Sequence, residues 1–330
     1  MAAMKGIDLF AGCGGMSLGF LNAGFDIMLA VDVWQAAGEI YRRNIQNVDF
    51  LLQDIRKLDI GTLKKYNPDI IIGGPPCQDF SSAGNRNGNG AHADMTYVFS
   101  EVVCKLSPDW FVMENVQEVA KSLVFSEAKE LFKENQYGLT EVKLNASYFG
   151  VPQNRIRLFL IGKKNEKEGF LTRFIKEEIT KKSSSTPLTI REFFGDRIDT
   201  QYYYRHPRSY SRRGIFSIDE PSPTIRGVNR PIPKNYKIHT GDACKDLSMV
   251  RPLTTKERSL IQTFPEDFIF EGTKTDTEQI IGNAVPVKLA EFVGTTIKHF
   301  IELQDACSFS KDNARETDPY RQTLYDWLAQ

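Results

Sequence analysis

Ile7-Asp8-Leu9-Phe10-Ala11-Gly12-Cys13-Gly14-Gly15-Met16 carries a short aliphatic run into a glycine-rich loop and then into a helical pattern over Met16–Ala23. The same alternation continues outward. Aliphatic runs recur at Ile27–Val31, Asp69–Gly73, Trp110–Met113, Thr140–Leu144 and Leu158–Ile161. Between them, amphipathic stretches cover Trp34–Arg43, Tyr97–Leu106 and Phe125–Lys133. Apolar runs with little polar alternation suit strands covered on both faces. Strand–helix–strand repetition then predicts an α/β fold with a doubly wound, mostly parallel sheet.

In such sheets ligands gather beyond the C-terminal ends of the strands, so the loops there carry the chemistry. Glycines in Gly12-Cys13-Gly14-Gly15 let the backbone turn tightly, and the following helix start offers free N–H groups. The spacing is not the Gly-x-Gly-x-x-Gly of dinucleotide binders. Asp32, twenty-two residues after Phe10, follows the second run, where a carboxylate can hold ribose hydroxyls. A nucleoside-type ligand and a plain tight turn fit these residues about equally well.

Gly73-Gly74-Pro75-Pro76-Cys77-Gln78-Asp79-Phe80-Ser81 follows the run Ile70-Ile71-Ile72. Two prolines stiffen the backbone so that Cys77 projects from a rigid turn, a candidate nucleophile where positive charge lowers its pKa. The glycine- and asparagine-rich Ser82–Ala91 stretch reads as a lid over the substrate rather than a packed element. Trp110–Val116 ends in Glu114-Asn115, and its strand should lie beside that of Cys77, bringing Glu114 near the thiol. That carboxyl suits proton donation to a heterocycle nitrogen, or only a helix cap. In Gln153-Asn154-Arg155-Ile156-Arg157, alternation sends both arginines to one face, where they need anions or acceptors opposite them.

The chain has 330 residues, 41% hydrophobic and 25% charged, which suits a globular protein of about two domains and excludes disordered and fibrous classes. No apolar run approaches the roughly 20 residues of a spanning helix, and no signal-peptide pattern opens the chain. The five cysteines form no Cys-x-x-Cys pair, which argues against a disulfide framework and a zinc site and for a reducing cytoplasm. Net charge is zero, yet residues 201–251 hold ten Lys/Arg against four Asp/Glu, so one face is suited to a polyanion. A polar linker with one helix follows residue 163. Residues 187–251 read as a small irregular β-rich domain. Helical patterns return at Thr254–Thr263 and Pro286–Glu302, and a polar tail begins at Asp305.

Taken in order, these stretches resemble the cytosine-5 DNA methyltransferase family of restriction–modification type, from about residue 5 to residue 303. Two more pieces join the likeness: Arg251-Pro252-Leu253-Thr254-Thr255-Lys256-Glu257 and Gly282-Asn283-Ala284-Val285-Pro286. The resemblance implies a Rossmann-like, S-adenosyl-L-methionine-dependent methyltransferase fold with a smaller β-rich target-recognition domain. It implies a catalytic domain of residues 1–162 plus 252–304, a linker and recognition domain of 163–251, and a tail of 305–330. Methyl transfer from S-adenosyl-L-methionine to carbon 5 of a flipped-out cytosine in duplex DNA is then expected, leaving S-adenosyl-L-homocysteine.

By the same likeness Cys77 is the nucleophile, Glu114 the acid at N3 and the exocyclic amine, Arg157 the partner of O2, and Arg155 a second positive charge. The cofactor pocket would use Phe10, Gly12, Gly14, Asp32, Val33, Asp54, Ile55, Pro76, Asn283, Ala284 and Val285. DNA contacts would come from Gln78, Ser81, Arg205, Arg208, Arg212, Arg213, Thr224, Arg226 and Arg230. Asp32 stands where the family usually has Glu, and Val33 precedes Trp34, so the side chain that stacks on adenine stays open. No metal, no membrane, a monomer, a cytoplasmic location with nucleoid association on DNA, and a cognate endonuclease that makes no direct contact complete the expectation. The alternatives are a tRNA cytosine-5 methyltransferase on the same fold, a non-catalytic DNA-binding homologue and, disfavoured by the glycine spacing, a nicotinamide oxidoreductase.

Overall fold

The computed structural model describes residues 3–76, 95–209 and 211–312. Its main sheet has seven strands. Four are parallel: β1 (Lys5–Leu9), β2 (Asp26–Asp32), β3 (Asp49–Leu52) and β4 (Ile70–Gly73), and β5 (Trp110–Val116) joins them in parallel on β4. Beyond β5 the chain forms β6 (Tyr137–Asn145), the short β7 (Gln153–Asn154) and β8 (Ile156–Lys164). The sheet order is β3-β2-β1-β4-β5-β8-β6, and β8 runs antiparallel to both its neighbours. The mostly parallel sheet is as expected. The paired edge β8–β6 is the antiparallel end of an otherwise parallel sheet, a common mixture in doubly wound folds.

Helices α1 (Gly15–Asn22), α2 (Gln35–Asn44), α4 (Met95–Leu106) and α5 (Leu123–Glu134) follow the helical patterns of the sequence, and the short α3 (Ile60–Lys64), which no pattern announces, starts at an Asp59 cap. Their apolar faces cover the sheet. Ile7, Leu9, Ile71, Phe99, Phe111 and Phe132 share one fully buried core on that account. Phe111 stacks on Phe132 at a centroid distance of 4.0 Å. Burying such rings is worth roughly 1.5–3 kcal/mol each, so the helices are held by packing more than by their own propensity.

Chain direction reverses across the sheet between β1 and β4. From β1 the chain moves to β2 and β3 on one side, and β4 returns to the other side of β1, with Leu9 opposite Gly73. The two loops that leave these neighbouring strand ends are Phe10–Gly14 and Gly74-Pro75-Pro76. A crevice opens there by topology alone.

The second half of the chain is less regular. Helix α6 (Thr172–Lys182) buries Phe174 and Ile175, and α7 (Ile190–Phe194) starts in a capping box between Thr189 and Glu192. Strands β9 (Tyr202–Tyr204), β10 (Ile215–Ser217) and β12 (Val250–Pro252) form a three-stranded sheet in the order β10-β9-β12, while β11 (Ser222–Pro223) pairs with β7. Tyr203 and Tyr204 are buried and pack this region. Helices α8 (Thr255–Ile261) and α9 (Lys274–Asn283) share its core, since Ile190, Tyr203, Phe216 and Ile225 cluster with Ile261 and Ile281.

Helix α10 (Val287–Asp312) closes the described chain, and compactness divides the protein into Met1–Thr295 and Thr296–Gln330. By length and hydropathy alone, Lys274–Ala306 would pass as a membrane span, contrary to the reading that no run reaches that length. That stretch is interrupted between α9 and α10, and 72% of its most apolar window is buried in the protein, as in a core helix.

Candidate functional site

A cleft of about 510 Å³ opens at the β1/β4 crossover. One wall is the loop after β1. Phe10, at φ 63°, takes a left-handed backbone that non-glycine residues rarely adopt, and Gly12 and Gly14 follow at φ 55° and 93°. Such strain persists only where the surroundings fix it, and it marks loops shaped for a ligand. Nothing stands within 4 Å of a Cβ built on Gly12, so the loop leaves open space at that point.

Asp32, at the end of β2, ties the loop to its own strand. One carboxylate oxygen accepts from the Gly12 amide and the other from the Trp34 amide, each at 2.8 Å. Burial raises its pKa from the ordinary carboxylate value, and the amides of Trp34, Gly12 and Val33 pull it back. Val33 and Trp34 flank it in the cleft, Val33 being 70% exposed while Trp34 is partly buried against the core cluster that includes Ala37 and Tyr41. An exposed apolar side chain beside a carboxylate at the mouth of a loop with free space suits a nucleoside, whose sugar is polar and whose base is flat.

The opposite wall is built by β4, β5 and β8. Gly74, Pro75 and Pro76 leave β4, and Glu114 and Asn115 end β5. Successive residues of a strand face opposite ways, so Glu114 and Asn115 serve different partners. Asn115 donates from its amide to the Pro75 carbonyl at 3.1 Å and accepts from the Val116 amide, which anchors the proline turn to β5. Glu114 Oε1 meets Arg157 Nε at 2.8 Å, with the side chains 10% and 12% exposed. A Cβ at position 74 would stand 3.1 Å from Glu114 Oε2, so glycine there keeps the carboxylate open to the cleft.

Arg155 also lines the cleft but is 2% exposed. Its Nη1 donates to two main-chain carbonyls, Gly282 at 3.1 Å and Ile225 at 3.3 Å, while Nε has no partner. Burial, and after it Arg157, lowers its pKa well below the guanidinium value, with Glu114 opposing. The two arginines therefore meet the acceptors that the sequence pattern demanded, a carboxylate for one and carbonyls for the other. Asn283, Ala284 and Val285 complete the rim.

A second cleft of about 680 Å³ adjoins the first and shares Val116 and Arg157 with it. Arg205, Arg208, Arg212, Arg213, Thr224 and Arg226 line it, together with Ile156 and Pro223. Arg205 donates to the Thr224 carbonyl at 2.8 Å, and burial followed by Arg226 lowers its pKa to about 10. Burial, Arg230 and Arg226 also push His206 down, a further sign of positive potential. Arg213 is paired with Glu220 and lies over the Phe216 ring at 4.2 Å, so its charge is partly spent.

The structure thus brings together Phe10, Gly12, Asp32, Val33, Pro76, Glu114, Arg155, Arg157, Asn283, Ala284 and Val285 in one cleft. Gly14, Asp54 and Ile55 are not in its lining. Gly14 lies against Tyr41, and Asp54 caps a turn at Arg56 and binds its guanidinium, which holds the carboxyl down at about 2. Arg230 lies outside the lining of the second cleft. Cys77, Gln78 and Ser81, and the Ser82–Ala91 stretch, lie outside the described residues. Cys77 is nonetheless the next residue after Pro76. Cys13 lines the cleft too, but burial pushes its thiol up to about 12, which leaves it an inert core cysteine. Sequence reasoning gave no role to Asn115 or Gln262. An Asn beside a site carboxylate is a signal of sorts, but a glutamine inside α-helical patterning offers none. Among the described residues, no cluster of His, Cys, Asp and Glu could hold a metal ion.

The family model described as C-5 cytosine-specific DNA methylase matches residues 4–299. The chain is 54% identical over 302 residues to the type II methyltransferase M.HindV of Haemophilus influenzae, covering 90% of this chain and 97% of that protein. It is 50% identical over 300 residues to the type II methyltransferase M.HgiDI of Herpetosiphon aurantiacus, covering 90% and 95%. Among solved structures, a Spodoptera frugiperda DNMT2 mutant superposes with a TM-score of 0.67 at 19% identity, covering 90% of this chain and 100% of that one. The S. pombe Dnmt2 methyltransferase superposes with a TM-score of 0.65 at 17% identity, covering 90% and 99%. At those identities the structures speak for the fold alone.

Proposed function

The chain belongs to the C-5 cytosine-specific DNA methylase family, and from that membership we propose that its two clefts are the methyl-donor half and the target-base half of one active site. The protein is a type II restriction–modification DNA cytosine-5 methyltransferase. The observation that carries the assignment of the clefts is their junction. Arg157 and Val116 belong to both, and Glu114 is paired to Arg157 there.

In this reading the first cleft takes S-adenosyl-L-methionine, which supplies an electrophilic methyl group on a sulfonium. The residues fit it. Asp32 faces the ribose, the open Gly12 turn accommodates the chain beside it, and Val33 with Trp34 offers apolar surface to the adenine. Asn283, Ala284 and Val285 close the rim. Asp54 and Ile55 stay in the proposal as adenine contacts that would form only on binding, since Asp54 is held by Arg56.

Carbon 5 of cytosine is a poor nucleophile, so a neighbouring atom must first push electrons into it. The Cys77 thiolate adds to carbon 6, and Glu114 holds N3 and the exocyclic amine as negative charge develops on the ring. Arg157 binds O2 and fixes the Glu114 carboxylate. Carbon 5, now part of an enamine, takes the methyl group. A base, solvent-derived, removes the proton from carbon 5, the carbon 6–sulfur bond breaks, and Cys77 leaves as thiolate. The base can reach this cleft only when extruded from the duplex. The second cleft supplies the phosphate contacts through Arg205, Arg208, Arg212 and Arg226, with Thr224 beside them, while Gln78, Ser81 and Arg230 remain further proposed DNA contacts.

The same proposal assigns residues 1–162 and 252–304 to catalysis, 163–251 to linker and recognition, and 305–330 to a tail. It places the enzyme in the cytoplasm as a monomer, beside a cognate endonuclease that it does not touch. Labelled methyl transfer from S-adenosyl-L-methionine to duplex DNA, with tRNA in parallel, tests the reading. Label in duplex DNA is expected. Label confined to tRNA would replace DNA with RNA as substrate.

A further inference from the structure

The two clefts are joined by more than a shared wall. Gln153 on β7 and Gln262, just after α8, are both fully buried. Gln153 Oε1 accepts from the Ile225 amide at 2.8 Å, and its Nε2 donates to Gln262 Oε1 at 2.8 Å. Gln262 Nε2 in turn donates to the carbonyls of Ile281 at 2.6 Å and Ala284 at 3.2 Å. Each amide has its orientation forced by its partners, because only oxygen accepts and only nitrogen donates.

A second bridge runs beside the first. Arg155 Nη1 donates to Ile225 O and Gly282 O at once. Both main-chain polar groups of Ile225 are therefore held, the amide by Gln153 and the carbonyl by Arg155. At the far end, the carbonyls of Gly282 and Ala284 belong to the segment that lines the first cleft. At the near end, Ile225 follows Thr224, whose hydroxyl donates to the Asn154 carbonyl and whose own carbonyl takes Arg205 of the basic cleft. Backbones touch as well. A Cβ on Gly282 would stand 2.4 Å from both Arg226 C and Gly227 N. Residues 226–227 thus lie directly against Gly282, with no room for a side chain between the two backbones.

We infer that Gln153, Gln262 and Arg155 are positioning residues that couple target recognition at Thr224–Gly227 to the donor-cleft wall at Gly282–Val285, so that duplex and cofactor each strengthen binding of the other. This rests on the functional reading above and adds to it a linkage between its two halves. An apolar core could hold these segments together equally well. Directional amide chains ending on carbonyls of the cleft wall do something more, because they transmit a shift of one segment to the other as a change in hydrogen-bond geometry. Coupling of this kind is reciprocal and typically 5- to 150-fold, at about 1–3 kcal/mol by that conversion.

The test is titration of S-adenosyl-L-homocysteine into the full-length protein, alone and with a short duplex carrying the site that bisulfite sequencing identifies. The native protein is expected to bind S-adenosyl-L-homocysteine several-fold more tightly with duplex present. In Gln153→Met and Gln262→Met, which keep volume and lose the amide chain, each ligand still binds and the ratio falls towards one. Thermal melting of each variant checks folding, and Gln153→Met, at a short strand, serves if Gln262→Met does not fold. A native ratio of one, or a native-like ratio in folded Gln153→Met, overturns the inference. Failure of the native protein to bind either ligand instead removes the reading beneath it, and the first titration shows which has happened.

Discussion

Arg157 and Glu114 are diagonal neighbours on an antiparallel strand pair, with Glu114 opposite Phe159 and Val116 opposite Arg157, and their side chains meet at 2.8 Å where the two clefts join. The register of β5 on β8 therefore decides whether this carboxyl and guanidinium meet, as the proposed action on one base requires. A slip of β8 by one residue would put Arg157 on the face of the sheet opposite Glu114.

Glu114→Gln keeps the shape of this pair and removes the acid. Methyl transfer in a single turnover should fall by about 10²- to 10⁴-fold, the range for loss of a positioned proton donor. Binding of S-adenosyl-L-homocysteine should change little, because Asp32 and the Gly12 loop are untouched. A rate within a few-fold of native would take Glu114 out of the chemistry.

Cys77→Ser should abolish turnover while leaving duplex binding in place. A duplex with 5-fluorocytosine at the target, incubated with S-adenosyl-L-methionine, should trap the native protein as a denaturation-resistant adduct at residue 77. Mass spectrometry of the peptide decides it, and an adduct at Cys13 would contradict the burial argument.

Duplex affinity should fall steeply with salt, because the second cleft is lined by guanidinium groups. With three to five phosphates engaged, log K against log salt should have a slope of about −2.7 to −4.5, at roughly −0.9 per phosphate. Arg208→Ala should make that slope shallower by about one. An unchanged slope places Arg208 off the backbone.

Gly282→Ala should destabilise the fold, since the added methyl meets main chain at 2.4 Å rather than a side chain that can swing away. Overpacking of that kind costs about 1–3 kcal/mol, read as a lower urea midpoint with unchanged slope. A native midpoint would mean that residues 226–227 yield freely.

Asp8 gives a pH signature. It is buried on β1, accepts from Ser17 on α1 at 2.5 Å, and Tyr41 on α2 donates to Ser17 in turn. Burial lifts its pKa from 3.8 to about 7, the Ser17 hydrogen bond opposes, and Asp32 adds to the rise. The folded protein thus keeps a proton that the unfolded chain has lost. Stability from this group is greatest below about pH 4, falls by about 1.4 kcal/mol per pH unit up to pH 7, and is level above. Asp8→Asn should flatten that slope in urea unfolding measured from pH 5 to 8. An identical slope in the variant would assign it to another group.

Much of this architecture is written in local chemistry. The run Ile70-Ile71-Ile72 before Gly-Gly-Pro-Pro announces a buried strand and a stiff turn, and Glu114 and Arg157 announce themselves by charge at strand ends. Strand β3 escaped notice because Asp49-Phe50-Leu51-Leu52 is short and half-exposed. Helix α9 escaped because Lys274-Thr275-Asp276-Thr277 is polar, although Thr273 caps it and its other face buries Ile280 and Ile281. Arg155 was read as a charge for the substrate, and its bonds to Ile225 and Gly282 could not be foreseen. Those carbonyls lie 70 and 127 residues away, and no local pattern encodes such a meeting.

Strands β11 and β12 stitch the irregular segment onto the rest of the chain, β11 along β7 and β12 within its own small sheet beside β9. On the recognition role proposed for this segment, anyone transplanting a foreign specificity into the scaffold must keep both seams, Ser222–Gly227 and Val250–Pro252, and cut inside them. The largely exposed stretch 230–241 offers room for such surgery only with Ile232 and Tyr236 kept, because both pack on the cluster of Tyr204, Ile215 and Val250, and the Tyr236 hydroxyl donates to Asp242.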